Sequence, residues 1–194
     1  MCKLELFQGI FNWAKENLTR EEVNKLLLAT DNEGRTLFHT ASQFRELEKF
    51  QGIFNWAKEN LTRQEVNKFL LAIDNNGRTL FHTALQFCEL EVFQGIFNWA
   101  KENLTREEVN KLLLAKNSYG RTVLHVAASY GKLEVFQGIC NWAAENLTRE
   151  ETKKLLFAKD NGGRTVFRMT EKFFEPEVFP GIRGLLFSNL RSCF

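Results

Sequence analysis

This sequence contains little proline and tyrosine, and neither sign of charge is in large excess. Two Pro and twelve Gly among 194 residues exclude a collagen-like or low-complexity chain, and so little proline favours helix. The 26 basic and 24 acidic residues leave a net charge of +2, which does not indicate a basic domain. The total does not exclude a local stripe of basic residues on one face. No apolar run reaches the roughly 18 residues that a membrane-spanning helix needs. The hydrophobic content of 44% suits a chain that buries a core.

The four cysteines do not form a pattern. Cys2, Cys88, Cys140 and Cys193 lack both the paired spacing of a metal site and the recurrence of a disulfide framework. The N-terminus has an early acid at Glu5 and no long apolar core, so no secretory signal is predicted. We therefore expect four free thiols in a reducing compartment, and a cytoplasmic, intracellular protein with the nucleus left open.

The dominant feature of the sequence is a repeat with a period of 43 residues. Four copies of one ten-residue segment carry it: Leu4–Trp13, Leu47–Trp56, Leu90–Trp99 and Leu133–Trp142. Residues 4–46 and 47–89 differ at only seven positions, and a degenerate copy begins at Pro176. Self-similarity at a fixed period between about 20 and 50 residues is typical of a stacked array.

We predict a single array over residues 1–194. Its parts are a half repeat at 1–30, units that start near 31, 74, 117 and 160, and a degenerate C-terminal cap at 176–194. The incomplete first unit raises the expectation that the chain belongs to a longer array.

Three helices are predicted in each unit. The first begins after Thr122, its N-cap, and stops before Gly131. The second covers Leu90 to about Asn103, where apolar residues recur at i, i+3, i+4 and i+7. The third starts with a capping box, because the Thr105 hydroxyl can accept from the amide three residues on while the Glu108 side chain reaches back. The same box recurs at Thr19/Glu22, Thr62/Glu65 and Thr148/Glu151.

An Asn-Leu-Thr triplet, formally a glycosylation acceptor, precedes each third helix. The triplets begin at Asn17, Asn60, Asn103 and Asn146. Because every Thr of a triplet also opens a capping box, we interpret the triplets as the boundary between one helix and the next.

Short polar turns join each third helix to the next first helix. They run over Asp31–Gly34, Asp74–Gly77, Asn117–Gly120 and Asp160–Gly163. Asn and Gly tolerate positive φ, so tight turns are predicted. A glycine also lies inside each second helix, at Gly9, Gly52, Gly95 and Gly138. Each costs the helix about 1 kcal/mol relative to Ala, and we interpret these glycines as sites of close helix packing.

From Asn117 to Val135 the sequence resembles the ankyrin repeat family. The similarity lies in the turn, in the Thr-x-Leu-His of residues 122–125, in the Ala-Ala-x-x-Gly of residues 127–131, and in the opening of the second helix. The unit is about ten residues longer than the family's usual 33 or so, and the surplus is the capping-box helix. The resemblance implies an all-α fold, a helical repeat solenoid of ankyrin-like units with short turn or hairpin connections.

The histidines and tryptophans recur with the repeat and do not form one site. Packed helices lie about 8–10 Å apart, too far for histidines of successive units to share one metal ion. The resemblance implies instead that His39, His82 and His125 bond to nearby backbone. One tryptophan per unit could stack on bases or sugars, but we favour an amphipathic ring packed under the third helix. These residues are Trp13, Trp56, Trp99 and Trp142.

Two sets of arginines also repeat with the unit. The turn arginines are Arg35, Arg78, Arg121 and Arg164, and the third-helix arginines are Arg20, Arg63, Arg106 and Arg149. Such rows could follow a phosphate backbone, but we interpret both as solvated surface, since glutamates lie two residues from the second set. The turn tips and first helices form the recognition face in proteins of the ankyrin kind, which makes the turn arginines the more informative set.

The turn tips vary most between units, where they carry Glu33, Asn76, Tyr119 and Gly162. A scaffold that repeats elsewhere but varies at its turn tips is suited to the specific binding of an extended partner. We therefore predict that a partner binds the concave face formed by the turn tips and first helices. The candidate residues are Glu33, Arg35, Asn76, Arg78, Tyr119, Arg121 and Arg164.

The sequence does not carry the signature of an enzyme. It has no Gly-x-x-x-x-Gly-Lys or Gly-x-Ser-x-Gly motif, and its polar residues are mostly copies, whereas catalysis needs one asymmetric constellation. The expected function is non-catalytic binding of another protein, as a scaffold or adaptor, without a metal, a cofactor or a membrane. The alternatives are nucleic-acid binding through the arginine rows, which the balanced charge disfavours, and a targeting domain of a larger enzyme.

Overall fold

The computed structural model describes residues 12–43, 47–87 and 90–173, together with Gly9. Across these ranges the chain is helical, and its only extended pairings are single antiparallel bridges within the turns, such as Thr30 with Thr36. No helix in this part of the chain is long and apolar enough to cross a membrane. The predicted cap at 176–194 lies outside the described residues.

The helices of the described ranges recur in a fixed order, after a helical stretch at 12–17. They are α1 Arg20–Leu28, α2 Leu37–Gln43, α3 Leu47–Asn60, α4 Arg63–Leu70, α5 Leu80–Phe87, α6 Leu90–Asn103, α7 Arg106–Leu114, α8 Val123–Ser129, α9 Leu133–Asn146, α10 Arg149–Leu156 and α11 Val166–Phe173. The first helices of the units are α2, α5, α8 and α11, the second helices are α3, α6 and α9, and the third helices are α1, α4, α7 and α10. The predicted bounds of the second helix, Leu90 to Asn103, are confirmed.

The predicted capping boxes open all four third helices. At α7 the Glu108 amide donates to the Thr105 hydroxyl at 3.2 Å, and the Thr105 amide donates to the Glu108 carboxylate at 2.8 Å. The Asn of the preceding triplet is used as well, because Asn103 Nδ2 donates to the Trp99 carbonyl at 2.9 Å. The triplets therefore end one helix and begin the next, as the sequence predicts.

The histidines of the first helices bond to backbone, which confirms the expectation from the resemblance. His82 is buried, and its Nδ1 lies 2.9 Å from the Thr79 hydroxyl at the start of its own helix. Its Nε2 lies 3.0 Å from the Arg121 carbonyl in the following unit. His39 and His125 make the same two links. Each imidazole therefore joins the N-terminus of one first helix to the next turn.

Equivalent helices of successive units pack against one another. The first helices α2, α5, α8 and α11 contact in that order, as do the second helices α3, α6 and α9. Apolar side chains from Ala14 to Met169 form one continuous buried cluster. Aromatic rings cross between units, with Phe54 5.0 Å from Trp99 by their ring centroids. Trp56 and Trp99 are buried, which confirms the packing interpretation for them, but Trp13 is 57% exposed, so that interpretation is wrong for Trp13.

The expectation for the mid-helix glycines is wrong. A Cβ atom added at Gly52, Gly95 or Gly138 would meet no heavy atom within 4 Å. The close contacts of the second helix are made by the flanking apolar stripe, such as Phe93 and Ile96, and the glycines lie beside it with open space above them.

Candidate binding groove at the turns

Each turn is built on one side chain that accepts two backbone hydrogen bonds. In the second described turn, Asp74 Oδ1 accepts from the amides of Asn76 and Arg78, at 2.9 and 2.8 Å. The Gly77 amide closes the turn on the Asp74 carbonyl at 2.8 Å, and Gly77 has a φ of +67°. The tight turns predicted from the Asp/Asn…Gly pattern are confirmed.

Successive turns are tied to each other through their tips. The Asn75 amide donates to the Glu33 carbonyl at 2.8 Å, the Ser118 amide to the Asn76 carbonyl at 2.8 Å, and the Asn161 amide to the Tyr119 carbonyl at 2.9 Å. The acceptor in every case is a variable tip residue. These residues therefore form one connected row, whose backbone is fixed while its side chains differ.

Three of the four turn arginines are paired with the aspartate of their own turn. Arg78 places Nε and Nη2 at 2.7 and 2.6 Å from Asp74 Oδ2. Arg35 and Arg164 do the same with Asp31 and Asp160. Burial by itself would raise the pKa of Asp74, but the hydrogen bonds from Arg78 outweigh it and lower that pKa. These pairs are ionised and nearly neutral in sum, which corrects the view of the turn arginines as simply solvated.

Arg121 differs from the other three because its turn carries Asn117 instead of an aspartate. Asn117 Oδ1 still accepts from the amides of Tyr119 and Arg121, at 3.0 and 3.1 Å, so the turn itself is preserved. Arg121 Nε is buried and has no hydrogen-bond partner among the described residues. The carboxylate beside it is Asp160 Oδ2 at 3.7 Å, which already pairs with Arg164.

A groove of about 590 Å³ lies over the second and third described turns and the first helices behind them. Four of the predicted site residues line it, namely Asn76, Arg78, Tyr119 and Arg121. The other three, Glu33, Arg35 and Arg164, do not line it. The tips are nevertheless continuous with the groove, since Glu33 bonds to the turn that contains Asn76.

The sequence-based prediction placed the binding face on the turn tips and first helices, but it named no first-helix residue. Gln86 of α5 and Val126 of α8 line the groove, together with Tyr130, which follows α8. Tyr119 and Tyr130 are the only two tyrosines of the chain, and they are 68% and 49% exposed. Their scarcity was the available signal, because a residue type confined to one unit of a repeat marks that unit as special.

His82 forms part of the groove's lining without adding charge. Burial lowers the pKa of His82 to about 4, so the ring is neutral under physiological conditions. The positive charge of the groove therefore comes from its arginines, of which Arg78 is neutralised by Asp74.

The third-helix arginines bind the ends of second helices in the following unit. Arg20 Nε donates to the Asn60 carbonyl at 3.0 Å, and Arg63 Nε donates to the Asn103 carbonyl at 2.9 Å. Arg106 Nη1 lies 3.3 Å from the Asn146 carbonyl. A cation is favourable there because unpaired carbonyls and the negative end of the helix dipole coincide. All three residues are exposed, as expected of a solvated surface, and they also bind the ends of neighbouring helices.

The described residues offer little for covalent or metal chemistry. They contain no group of three His, Cys, Asp or Glu side chains that could hold a metal ion. Cys140 is a free, buried thiol, and burial raises its pKa to about 12, far from that of a nucleophile. The other three cysteines lie outside the described residues.

No known protein-family model matches the chain, and no curated protein matches it significantly.

Proposed function

We propose that the chain is a solenoid of ankyrin-like units and that it acts as a non-catalytic scaffold or adaptor that binds another protein. The packing of each first and second helix on its counterpart in the next unit supports the solenoid. The histidine links and the tip-to-tip hydrogen bonds also run only between neighbouring units. Such an arrangement needs no contact between distant units.

The observation that carries the binding function is the asymmetric groove over two adjacent turns. It combines two exposed tyrosines with an arginine that lacks a hydrogen-bond partner for Nε. Tyr and Arg are enriched among the residues that dominate protein–protein binding energies, because they combine large contact areas with hydrogen bonding. The fixed backbone of the tips keeps the ordering cost of binding low.

Nucleic-acid binding is the second candidate, because arginines recur along the chain. The contacts of these arginines disfavour it, since three turn arginines pair with aspartates and three third-helix arginines bind helix ends. A strand of phosphates would meet Asp74 and Asp160 beside the same guanidinium groups. Protein binding is therefore the stronger proposal.

Partner capture with matched variants tests the proposal. The full chain is used as bait beside a groove variant, Arg121→Glu with Tyr119→Ala, and beside a control, Lys111→Glu, on the exposed face of α7. We expect proteins that the native bait and the control retain and the groove variant loses, and the binding of each candidate is then measured with purified proteins. Identical protein sets on all three baits would contradict the proposal.

Salt dependence separates the two candidates. Nucleic-acid binding that neutralises several phosphates weakens steeply as salt rises. We expect weak binding of single-stranded DNA or RNA at every salt concentration. Tight binding with a steep salt dependence would support the nucleic-acid alternative.

A further inference from the structure

One turn arginine differs from its three counterparts in a way that points to a ligand. Asp31, Asp74 and Asp160 hold the arginines of their turns, whereas Asn117 keeps the turn but supplies no carboxylate. The Nε of Arg121 is shielded from water and has no hydrogen-bond partner among the described residues. The substitution thus leaves a groove cation without a hydrogen-bonded carboxylate. Its ion-pair partner, Asp160 at 3.7 Å, is already bound by Arg164, whereas the groove's other arginine pairs with Asp74.

We propose that this groove is a carboxylate-recognition site that takes an Asp or Glu side chain from an extended segment of a partner protein. Arg121 supplies the ion pair, and Tyr119 and Tyr130 supply the contact surface. The inference rests on the proposed function, because it names the chemistry of the partner at the same groove.

The geometry around Arg121 suits a carboxylate. The Arg121 side chain is 28% exposed, so an acceptor from a partner can reach the guanidinium, and a hydrogen bond to a charged group is stronger than one between neutral groups. Guanidinium and carboxylate match as two parallel hydrogen bonds, which adds direction to the attraction of the charges. The Arg121 guanidinium also lies 5.7 Å from the centre of the Tyr119 ring, and this contact helps to hold it in place.

The charge around the groove selects a single carboxylate over a polyanion. Arg78 is already neutralised by Asp74, and Asp160 lies 3.7 Å from Arg121 Nε. One acceptor group therefore finds a cation, while a row of phosphates would place further charges against these carboxylates. The tips that border the groove form a connected row, which suits an extended peptide lying along them.

The decisive variant is Asn117→Asp. It supplies Arg121 with the carboxylate that the other three turns possess, and Asn117 is the one groove side chain that it changes. Because this pairing copies that of the neighbouring turns, the urea midpoint of the variant should be no lower than that of the native chain. A loss of binding then reports competition for Arg121 and not damage to the fold. Asn141→Asp on the exposed face of α9 adds the same charge elsewhere and serves as the matched control.

The probe is a random peptide library displayed on phage and selected on the immobilised full chain. We expect the selected peptides to share an acidic residue, and replacement of that residue by its amide should weaken the synthetic peptide about tenfold or more. Asn117→Asp and Arg121→Gln should weaken the acidic peptide by a similar factor but leave the amide peptide nearly unchanged. Asn141→Asp should bind both peptides as the native chain does.

Several results would overturn the inference: no enriched peptide, selected peptides without an acidic residue, equal binding of the amide peptide, or unchanged binding by Asn117→Asp. They are distinguishable from failure of the proposed function. If partner capture depends on the groove but peptide binding does not depend on an acidic residue and Arg121, only the carboxylate site is contradicted. If the peptides bind as expected but no captured protein depends on the groove, the scaffold function is contradicted and the carboxylate site is supported.

Discussion

Individual buried residues hold neighbouring units of this chain together. His39, His82 and His125 each bond to a threonine of their own helix and to a carbonyl of the next unit. Burial lowers the pKa of all three. The folded chain therefore prefers neutral histidines at the same positions where the links between units lie.

This preference predicts that stability falls as the pH decreases. The pKa of His82 is 6.5 in the unfolded chain and about 4 in the folded chain. Between these two pH values the unfolded chain binds more protons than the folded chain, so lowering the pH favours unfolding. The contribution is complete above pH 6.5 and is lost as the pH falls through 4, and for His82 it is on the order of 3 kcal/mol. Urea midpoints measured from pH 7 to 5.5, about one pH unit above the ordinary glutamate pKa of 4.5, would show the onset of this fall.

The matched variant for this experiment is His82→Gln. It is less stable overall, but its stability should fall less steeply with decreasing pH, because one of the three titrating groups is gone. An identical slope in the native chain and the variant would show that His82 does not drive the effect.

Two turn glycines provide a second test at the scale of the residue. Gly120 and Gly163 have nearly the same φ, +70° and +73°, so replacement by Ala strains both backbones equally. A Cβ at Gly120 would lie 2.8 Å from the Asn161 amide nitrogen of the next turn, whereas at Gly163 it would meet no atom of the described residues within 4 Å. We expect Gly120→Ala to cost about 1–3 kcal/mol more than Gly163→Ala in urea unfolding. Equal costs would contradict the close contact between turns.

At the scale of the helix, the sequence predicts starts and ends well because these signals are local. The box of Thr105 and Glu108, and the turn closed by Gly77, each depend on residues within four positions of one another. What a side chain reaches in the next unit is not local. The bond from Arg63 to the Asn103 carbonyl spans 40 residues, and the sequence alone gave no reason to expect it.

The mid-helix glycines lead to a prediction at the same scale. Gly138 is exposed in α9, and a Cβ there would meet no atom within 4 Å. Gly138→Ala should therefore raise the free energy of unfolding by about 1 kcal/mol, the difference in helix propensity. Gly95→Ala in α6 has the same open surroundings and should behave alike in urea unfolding. If both replacements destabilise the chain, an unseen contact at this face is the reason for glycine.

The candidate site shows why function is harder to predict than helices. The sequence identified the variable tips, and four of the seven candidate residues line the groove. It did not identify Arg121 as the one turn arginine without its own carboxylate. The signal was present as Asn117 in place of an aspartate, but its meaning depends on which carboxylate a guanidinium reaches, and that is a distance in space.

The whole molecule is best tested by removing one unit. Residues 47–89 differ from 4–46 at only seven positions, so deleting 47–89 brings an almost identical surface against the second helix that begins at Leu90. If the chain is a solenoid, stability is approximately a sum over units and their interfaces. The shortened chain should then keep its helical signal per residue by circular dichroism and unfold cooperatively, with a smaller urea dependence because less surface is exposed. A chain folded around one indivisible core would instead lose its cooperative transition.

The new junction also allows a matched repair. Deletion places Leu26 where Phe69 stood, and Phe69 is a buried ring whose centroid lies 6.0 Å from that of Trp99. The smaller side chain leaves part of that space unfilled, so the deletion should cost more than one unit's share of stability. Adding Leu26→Phe to the deletion should recover about 1 kcal/mol, since it restores an aromatic contact across the junction. In the full chain, α1 with Leu26 packs on α3, which carries the buried Trp56 at the place equivalent to Trp99, so the same substitution should stabilise that chain by a similar amount. Similar effects in both chains would support equivalent places for the two units, and an effect confined to one chain would contradict the stacked arrangement.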